Sequence, residues 1–259
     1  MAHFSQLLKY QDLLYTWFQR ELKIRYKQSF IGGLWAILQP LTMMVIFTVV
    51  FSVLARFPTD GIPYPIFSYT ALLPWFYLSN SVSYGTPTLV LNMSLVTKIY
   101  FPREILPLGS IGAAFFDLLI ASVVFLVLML VYQIPLTFNI LWVPLLLLIQ
   151  TALIIGVVLL LSALNVFYRD IRFIIPLGLQ VWMFASPIIY PLSLVPESLL
   201  PVYMLNPMAG LIDSYRRVIL QGEPPVYSYL AISTVISLVV FLVGYSYFKR
   251  AEPAFADLI

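Results

Sequence analysis

Residues 105–132 read ILPLGSIGAAFFDLLIASVVFLVLMLVY, an apolar run holding one charged side chain, Asp117. A bilayer core about 30 Å thick is crossed by roughly 20 mostly apolar residues in helical form, so this stretch reads as a membrane span. Five comparable runs surround it, at 31–55, 66–91, 140–166, 172–191 and 226–248. The composition agrees: 61% of the 259 residues are hydrophobic and 10% charged, with a mean hydropathy of +0.96, against roughly half apolar and a quarter charged in soluble proteins. The expected fold class is an all-α membrane protein, a single transmembrane domain over residues 1–259 with no length left for an ordinary soluble domain.

The 14 Lys and Arg residues sort the loops. Lys9, Arg20, Lys23, Arg25 and Lys27 precede the first span; Lys98 and Arg103, Arg169 and Arg172, then Lys249 and Arg250 flank later ones. Only Arg56, Arg216 and Arg217 fall on the opposite side. The positive-inside rule therefore puts both termini in the cytoplasm. This clustering explains the net charge of +3 as membrane topology, and nucleic acid is excluded as a partner. With no cysteine, and His3 the only histidine, thiol catalysis and a Cys/His metal site are excluded. Residues 1–30 lack the uninterrupted apolar core of a cleaved signal, so the first span is expected to stay in the mature chain.

Residues 4–28 place Phe4, Leu7, Leu8, Leu14, Tyr15, Phe18 and Leu22 at helical spacing, with Lys9, Asp12, Thr16, Gln19, Lys23 and Lys27 mostly opposite. That is the pattern of an interfacial amphipathic helix whose basic face suits anionic lipid. Glu21 and Arg25 stand four apart in the favourable order. Near the other end, residues 192–225 are too apolar for an ordinary loop. Asn206 is positioned to cap a helix with Pro207 at its first position and Gly222 at its stop. Met208, Leu211, Ile212, Tyr215 and Ile219 share a face there, with Asp213, Arg216 and Arg217 away from it. A re-entrant hairpin on the outer side, bordering a translocation path, is one reading, since irregular backbone at membrane depth needs protein or a water-filled cavity around it. A helix lying on the outer leaflet is the other.

No phosphate-binding G-x-x-x-x-G-K-[ST] loop, nucleophile elbow, H-E-x-x-H or carboxylate pair occurs, so a nucleotide driving transport must bind another polypeptide. Asp117 is the one acid inside a span. It has no basic partner in a neighbouring span, which disfavours a proton relay and favours a carboxyl that stays protonated or hydrogen-bonds Ser, Thr or Tyr across a helix interface. The second span, SYTALLPWFYLSNSVSYGTPTLV at 68–90, mixes hydroxyls and amides with aromatics. One of its sides is expected to face a polar lumen or another helix, and Pro74, Gly85 and Pro87 to kink it. Its aromatics suit both stacking on sugar faces and plain interfacial anchoring.

Between the second and third spans, SLVTKIYFPREILPLG at 94–109 carries a charged, proline-broken elbow. Lys98, Arg103 and Glu104 ring an apolar knob of Ile99, Tyr100 and Phe101, as in the anchor-and-rim anatomy of an interface. NVFYRDIRF at 165–173 repeats the chemistry with Phe167, Tyr168, Arg169 and Asp170. Loop charges of this kind commonly serve as topology anchors; two apolar knobs on one face point to a docking partner.

Five segments, IGGLWAILQPL, KIYFPREILPLG, NVFYRDIRF, NPMAGLIDSYRRVIL and FKRAEPAFADLI, resemble in order the permease subunit of type-2 ATP-binding-cassette exporters, in the branch exporting O-antigen polysaccharide and teichoic acid. The resemblance implies a non-catalytic permease of the inner (cytoplasmic) membrane: an interface helix at 4–28, spans one to five over 31–191, an outer re-entrant hairpin at 192–225, span six at 226–248 and a cytoplasmic tail at 249–259. It implies a homodimer with two copies of a separate ATPase that holds ATP and Mg, no cofactor in this chain, and a lipid-linked glycan as substrate in a lipid membrane. ATPase coupling falls to Lys98, Tyr100, Phe101, Arg103, Glu104, Phe167, Arg169 and Asp170. Trp75, Tyr77, Asn80 and Tyr84 become channel-lining candidates, and Asn206, Tyr215, Arg216 and Arg217 outer-gate candidates. The competing readings are the same architecture exporting a drug or lipid, and an intramembrane glycan-modifying enzyme.

Overall fold

The computed structural model of the chain describes residues 10–27, 31–59 and 61–255, and among these residues it is helical with no strand. In chain order the helices are α1 (Gln11–Tyr26), α2 (Trp35–Phe47, prolonged by a π turn at Thr48–Leu54), α3 (Tyr64–Gly85), α4 (Thr88–Leu91) and α5 (Met93–Lys98). Then come α6 (Ile105–Val131), α7 (Val143–Phe167), α8 (Ile171–Phe184), α9 (Leu200–Tyr203), α10 (Pro207–Arg216) and α11 (Tyr227–Ala251). Among the described residues, four helical segments are long and apolar enough to cross a membrane: Gly32–Leu54, Ile105–Val131, Phe138–Phe167 and Tyr227–Ala254.

The other two expected spans differ. Helix α3 has 22 residues, about 33 Å, but it is polar, because it is the centre of the bundle. Neighbouring helices bury most of its length. Thr70 and Ser68 bond back to the carbonyls of Ile66 and Pro65, Tyr69 donates to the Ala121 carbonyl on α6, and Tyr77 meets Thr151 on α7 at 3.1 Å. Tyr69 and Tyr77 thus find partners between helices, and Ser68 and Thr70 within their own. The helix ends at Gly85 and restarts at Thr88, with the break at Pro87 where a proline-bearing run loses its donors.

Helix α8 stops at Phe184 after 14 residues, about 21 Å, where the sequence pattern places a span over 172–191. Pro187 and Pro191 lack the N–H groups that continuation needs and push their preceding residues away from helical geometry. The carbonyls freed there are taken by Arg216: its guanidinium donates to those of Pro187, Ile188 and Tyr190.

The expected interface helix is helical from Gln11 to Tyr26; residues 4–9 and 28 lie outside the described residues. It packs along α6 with Leu14 and Phe18 of the expected apolar stripe part-buried, but its most buried side chain lies beside that stripe. Trp17 is its buried residue, seated against Gly109, where any Cβ would collide with the indole. Glu21 and Arg25 follow one and two turns on, and Tyr15 is exposed. At the other side of the bundle α7 and α11 cross where Gly156 meets Gly244. A Cβ on Gly156 would lie 2.5 Å from the Val240 carbonyl oxygen, so small residues set this crossing.

Two hydrophobic cores result. The larger surrounds α3 and takes in α6, α7 and α10. A smaller one, with Val96, Phe101, Leu106, Val166, Phe248 and Phe255, lies at the end of the bundle that carries the basic loops.

Candidate functional site

The small core shapes the first elbow. Pro102 prevents helical continuation from α5, whose C-cap Ile99 is already extended, and the chain turns sharply into α6. This turn divides the expected knob: Tyr100 is 89% exposed while Phe101 is 5% exposed and anchors the loop from within. Glu104, expected at the docking rim, is buried, and Lys249 Nζ lies 2.6 Å from its Oε1. Arg103 is drawn onto the start of the tail, where its backbone N–H donates to Glu252 Oε1 at 3.1 Å and its guanidinium to the Glu252 carbonyl. Lys98 and Ile99 stay exposed. A groove of about 670 Å³ runs beside them, lined by Tyr10, Lys98, Tyr100, Arg103, Lys249 and Glu252 among others.

The second elbow is more open. Phe167, Tyr168, Arg169 and Asp170 are all exposed between α7 and α8, and the Phe167 ring meets Phe255 edge-on at 6.3 Å.

A second cavity, about 580 Å³, opens between α1, the start of α2 and the end of α3; Arg20, Arg25, Tyr26, Asn80, Tyr84 and Asp117 line it. Arg25 donates to Asp117 Oδ2 at 2.7 Å, the Tyr26 hydroxyl donates to Asp117 Oδ1, and the Arg25 guanidinium sits 4.3 Å over the Tyr84 ring. The basic partner that the neighbouring spans were not expected to offer Asp117 comes from the interface helix. The tyrosine bond across a helix interface is present. Arg25 is thereby taken from Glu21, which instead accepts from Ser110 Oγ. Of the channel candidates, Asn80 and Tyr84 face this cavity. Trp75 packs edge-on against Trp182 at 6.2 Å and Tyr77 is 2% exposed, so this chain alone presents neither to a lumen.

At α10 the helix start is as expected: Asn206 Oδ1 accepts from the Met208 N–H at 3.1 Å, and Gly222 closes the following turn at φ 68°. Asn206 also accepts from Trp182 Nε1 at 2.8 Å, tying α8 to α10. Tyr215 is buried and donates to Gln150 Oε1 at 3.0 Å, while Gln150 Nε2 donates to the Pro74 carbonyl at 2.7 Å. Arg216, expected on the outward face, is instead 5% exposed, with its guanidinium 3.6 Å from the Phe67 ring centroid. Its neighbour Arg217 does point outward and pairs with Glu223 at 2.5 Å.

Trp17, Gln150, Trp182, Glu252 and Phe255 carry these connections without having been singled out beforehand. Gln150 left a trace, an isolated amide within a run of leucines and isoleucines, where a polar group needs a partner. The others read as ordinary interfacial residues.

Such a bundle, with apolar helices, polar groups held at helix crossings and charged elbows gathered at one end, defines a multi-pass membrane protein. Residues 12–220 match the family model described as ABC-2 type transporter, and the chain belongs to that family, as its non-catalytic membrane component. It is similar to the O-antigen export system permease protein RfbA of Myxococcus xanthus, 32% identical over 257 residues and 98% of both chains. It is likewise similar to RfbA of Klebsiella pneumoniae, 28% identical over 96% of this chain and 95% of that one, and to the polysialic acid transport protein KpsM of Escherichia coli, 27% identical over 92% of both. The resemblance drawn from the five segments is thereby borne out.

Proposed function

We propose that this chain is the channel-forming permease of an ABC exporter that moves a lipid-linked, O-antigen-like polysaccharide outward across the cytoplasmic membrane, driven by a separate ATPase that binds ATP and Mg. The observation that carries the reading is the end-to-end similarity to an O-antigen export permease, with 98% of both chains covered. The polysialic acid relative supports the same cargo class, a long glycan. None of the relatives named above is a teichoic acid transporter, so that cargo has no support among them.

In this reading the chain crosses the membrane six times, by α2, α3, α6, α7, α8 with the turn after it, and α11, with both termini cytoplasmic. Residues 192–225 form the outer re-entrant hairpin and gate, held by Asn206, Tyr215 and Arg216. Two copies enclose the channel, closed two-fold symmetry being the commonest oligomer, and each carries one ATPase. Asn80 and Tyr84 line the path, with Trp75 and Tyr77 packed behind it. Lys98, Tyr100, Arg169 and Asp170 form the exposed docking surface, while Phe101, Arg103, Glu104 and Phe167 hold it in place.

The test is reconstitution. Vesicles holding this chain, its co-purified ATPase and ATP are expected to accumulate lipid-linked glycan, and vesicles lacking the ATPase to accumulate none. Transport of a drug or simple lipid with no glycan transport would reassign the cargo, and uphill transport without a companion polypeptide would remove the reading.

A further inference from the structure

The two elbows are distant in sequence, yet one short segment touches both. Immediately after α11, Glu252 accepts the Arg103 backbone N–H and guanidinium at the first elbow. Lys249 bridges Glu104 and Glu252, at 2.6 and 3.0 Å. Phe255 is fully buried: its ring lies 5.4 Å from Phe248 and 6.3 Å from Phe167 of the second elbow, with the Arg103 guanidinium 6.0 Å away. The small core around it draws Val96 and Phe101 from the first elbow, Val166 from the second and Phe248 from α11. It is distinct from the large core around α3.

We propose that residues 249–255 are a brace that makes the two elbows one rigid body, with Glu252 and Phe255 as positioning residues for coupling. This rests on the reading of the elbows as the ATPase docking surface. An elbow on its own is a short loop with an exposed tip, and force on that tip is dissipated by local bending. Close-packed cores transmit strain because they have no free volume to absorb it. Aromatic packing fills the centre of the brace, and the Arg103–Glu252 and Lys249–Glu104 contacts hold its rim in register. A load on either elbow then reaches α6, α7 and α11 together.

The chain has no cysteine, so spin labels can be placed singly. Ser94→Cys and Phe173→Cys lie on exposed positions beside the two elbows and outside the assigned docking residues. Labelled chain diluted with unlabelled chain, in the assembled transporter, reads the distance within one chain. The expected result is one distance distribution with and without ATP. Phe255→Ala is expected to broaden it and make it respond to ATP, and to lower export per ATP hydrolysed about five- to 150-fold, the usual range of coupling between sites, with ATPase capture unchanged. Phe255→Trp, which keeps a ring there, is expected to recover most coupling. A distance that shifts with ATP in the unaltered chain, or that ignores Phe255→Ala, overturns the brace. If Phe255→Ala does not assemble, Glu252→Gln, which keeps the shape and weakens the ion pair with Lys249 and the bond from the Arg103 N–H, carries the same measurement. Docking is read separately: capture of the ATPase unaffected by Arg169→Ala and Tyr100→Ala together overturns that reading, whatever the distances show.

Discussion

Arg25 reaches Asp117 across 2.7 Å and so bolts the interface helix to the middle of α6. Both side chains are about nine-tenths buried, and Tyr26 completes the site from the same helix. Removing one partner of a buried pair strands the other charge, which costs about 3–5 kcal/mol, whereas replacing both by groups of similar shape is often close to neutral. Asp117→Asn and Arg25→Ala are each expected to lower the thermal midpoint of the detergent-solubilised protein strongly. The double variant Arg25→Met, Asp117→Leu is expected to recover most of it and retain export. An export defect surviving in that stable double variant would give Asp117 a direct role in transport.

The crossing of α7 and α11 has no room for a methyl group. Gly156→Ala and Gly244→Ala are expected to destabilise by about 1–3 kcal/mol or more, because added carbon meets backbone instead of a movable side chain. Gly178→Ala on α8, where a Cβ meets nothing within 4 Å, is expected to be neutral or slightly stabilising. Thermal midpoints of the three variants check the ranking, and an equal loss at all three contradicts the packing.

Adjacent arginines are expected to behave oppositely. Arg216→Leu leaves the carbonyls of Pro187 and Ile188 without their donor, at about 1–3 kcal/mol for each unsatisfied buried group, and loosens the turn after α8. Arg217→Ala removes an exposed hydrogen bond to the Pro224 carbonyl and the part-exposed pair with Glu223, a pair of the kind worth about 0–1 kcal/mol. Protease sensitivity around residues 185–190 is expected to rise in the first and stay unchanged in the second.

The first elbow separates folding from docking within two consecutive residues. Tyr100→Ala is expected to leave the stability within about 0.5 kcal/mol of the parent, as for exposed sites generally, while weakening ATPase capture. Phe101→Ala is expected to destabilise by about 3–5 kcal/mol through the cavity it leaves. Melting and co-purification measured on the same preparations distinguish the two effects.

Much of the architecture was legible in composition and pattern. The run at 105–132 gave α6 nearly to the residue, and Asn206 and Pro207 marked the start of α10 and Gly222 the stop of the turn that prolongs it, because capping acts over three or four residues. The charged elbows were visible for the same reason: proline, charge and aromatic residues within one short stretch are a local signal. Less legible were the orientations within those elements. Phe101 and Glu104 turn inward while Tyr100 turns outward, Arg216 is buried beside an exposed Arg217, and Trp17 rather than Phe18 is the buried anchor of α1.

Hydropathy, proline placement and loop charge are sums over neighbouring residues, so the chain's order alone settled a helical membrane bundle with its basic loops at one end. Which carbonyls receive Arg216, which acid holds Arg25 and which aromatic lies between the elbows depend on segments roughly 30 to 150 residues apart meeting in space. A buried charge adopts the partner that packing brings within about 3 Å, and no count along the chain encodes that meeting.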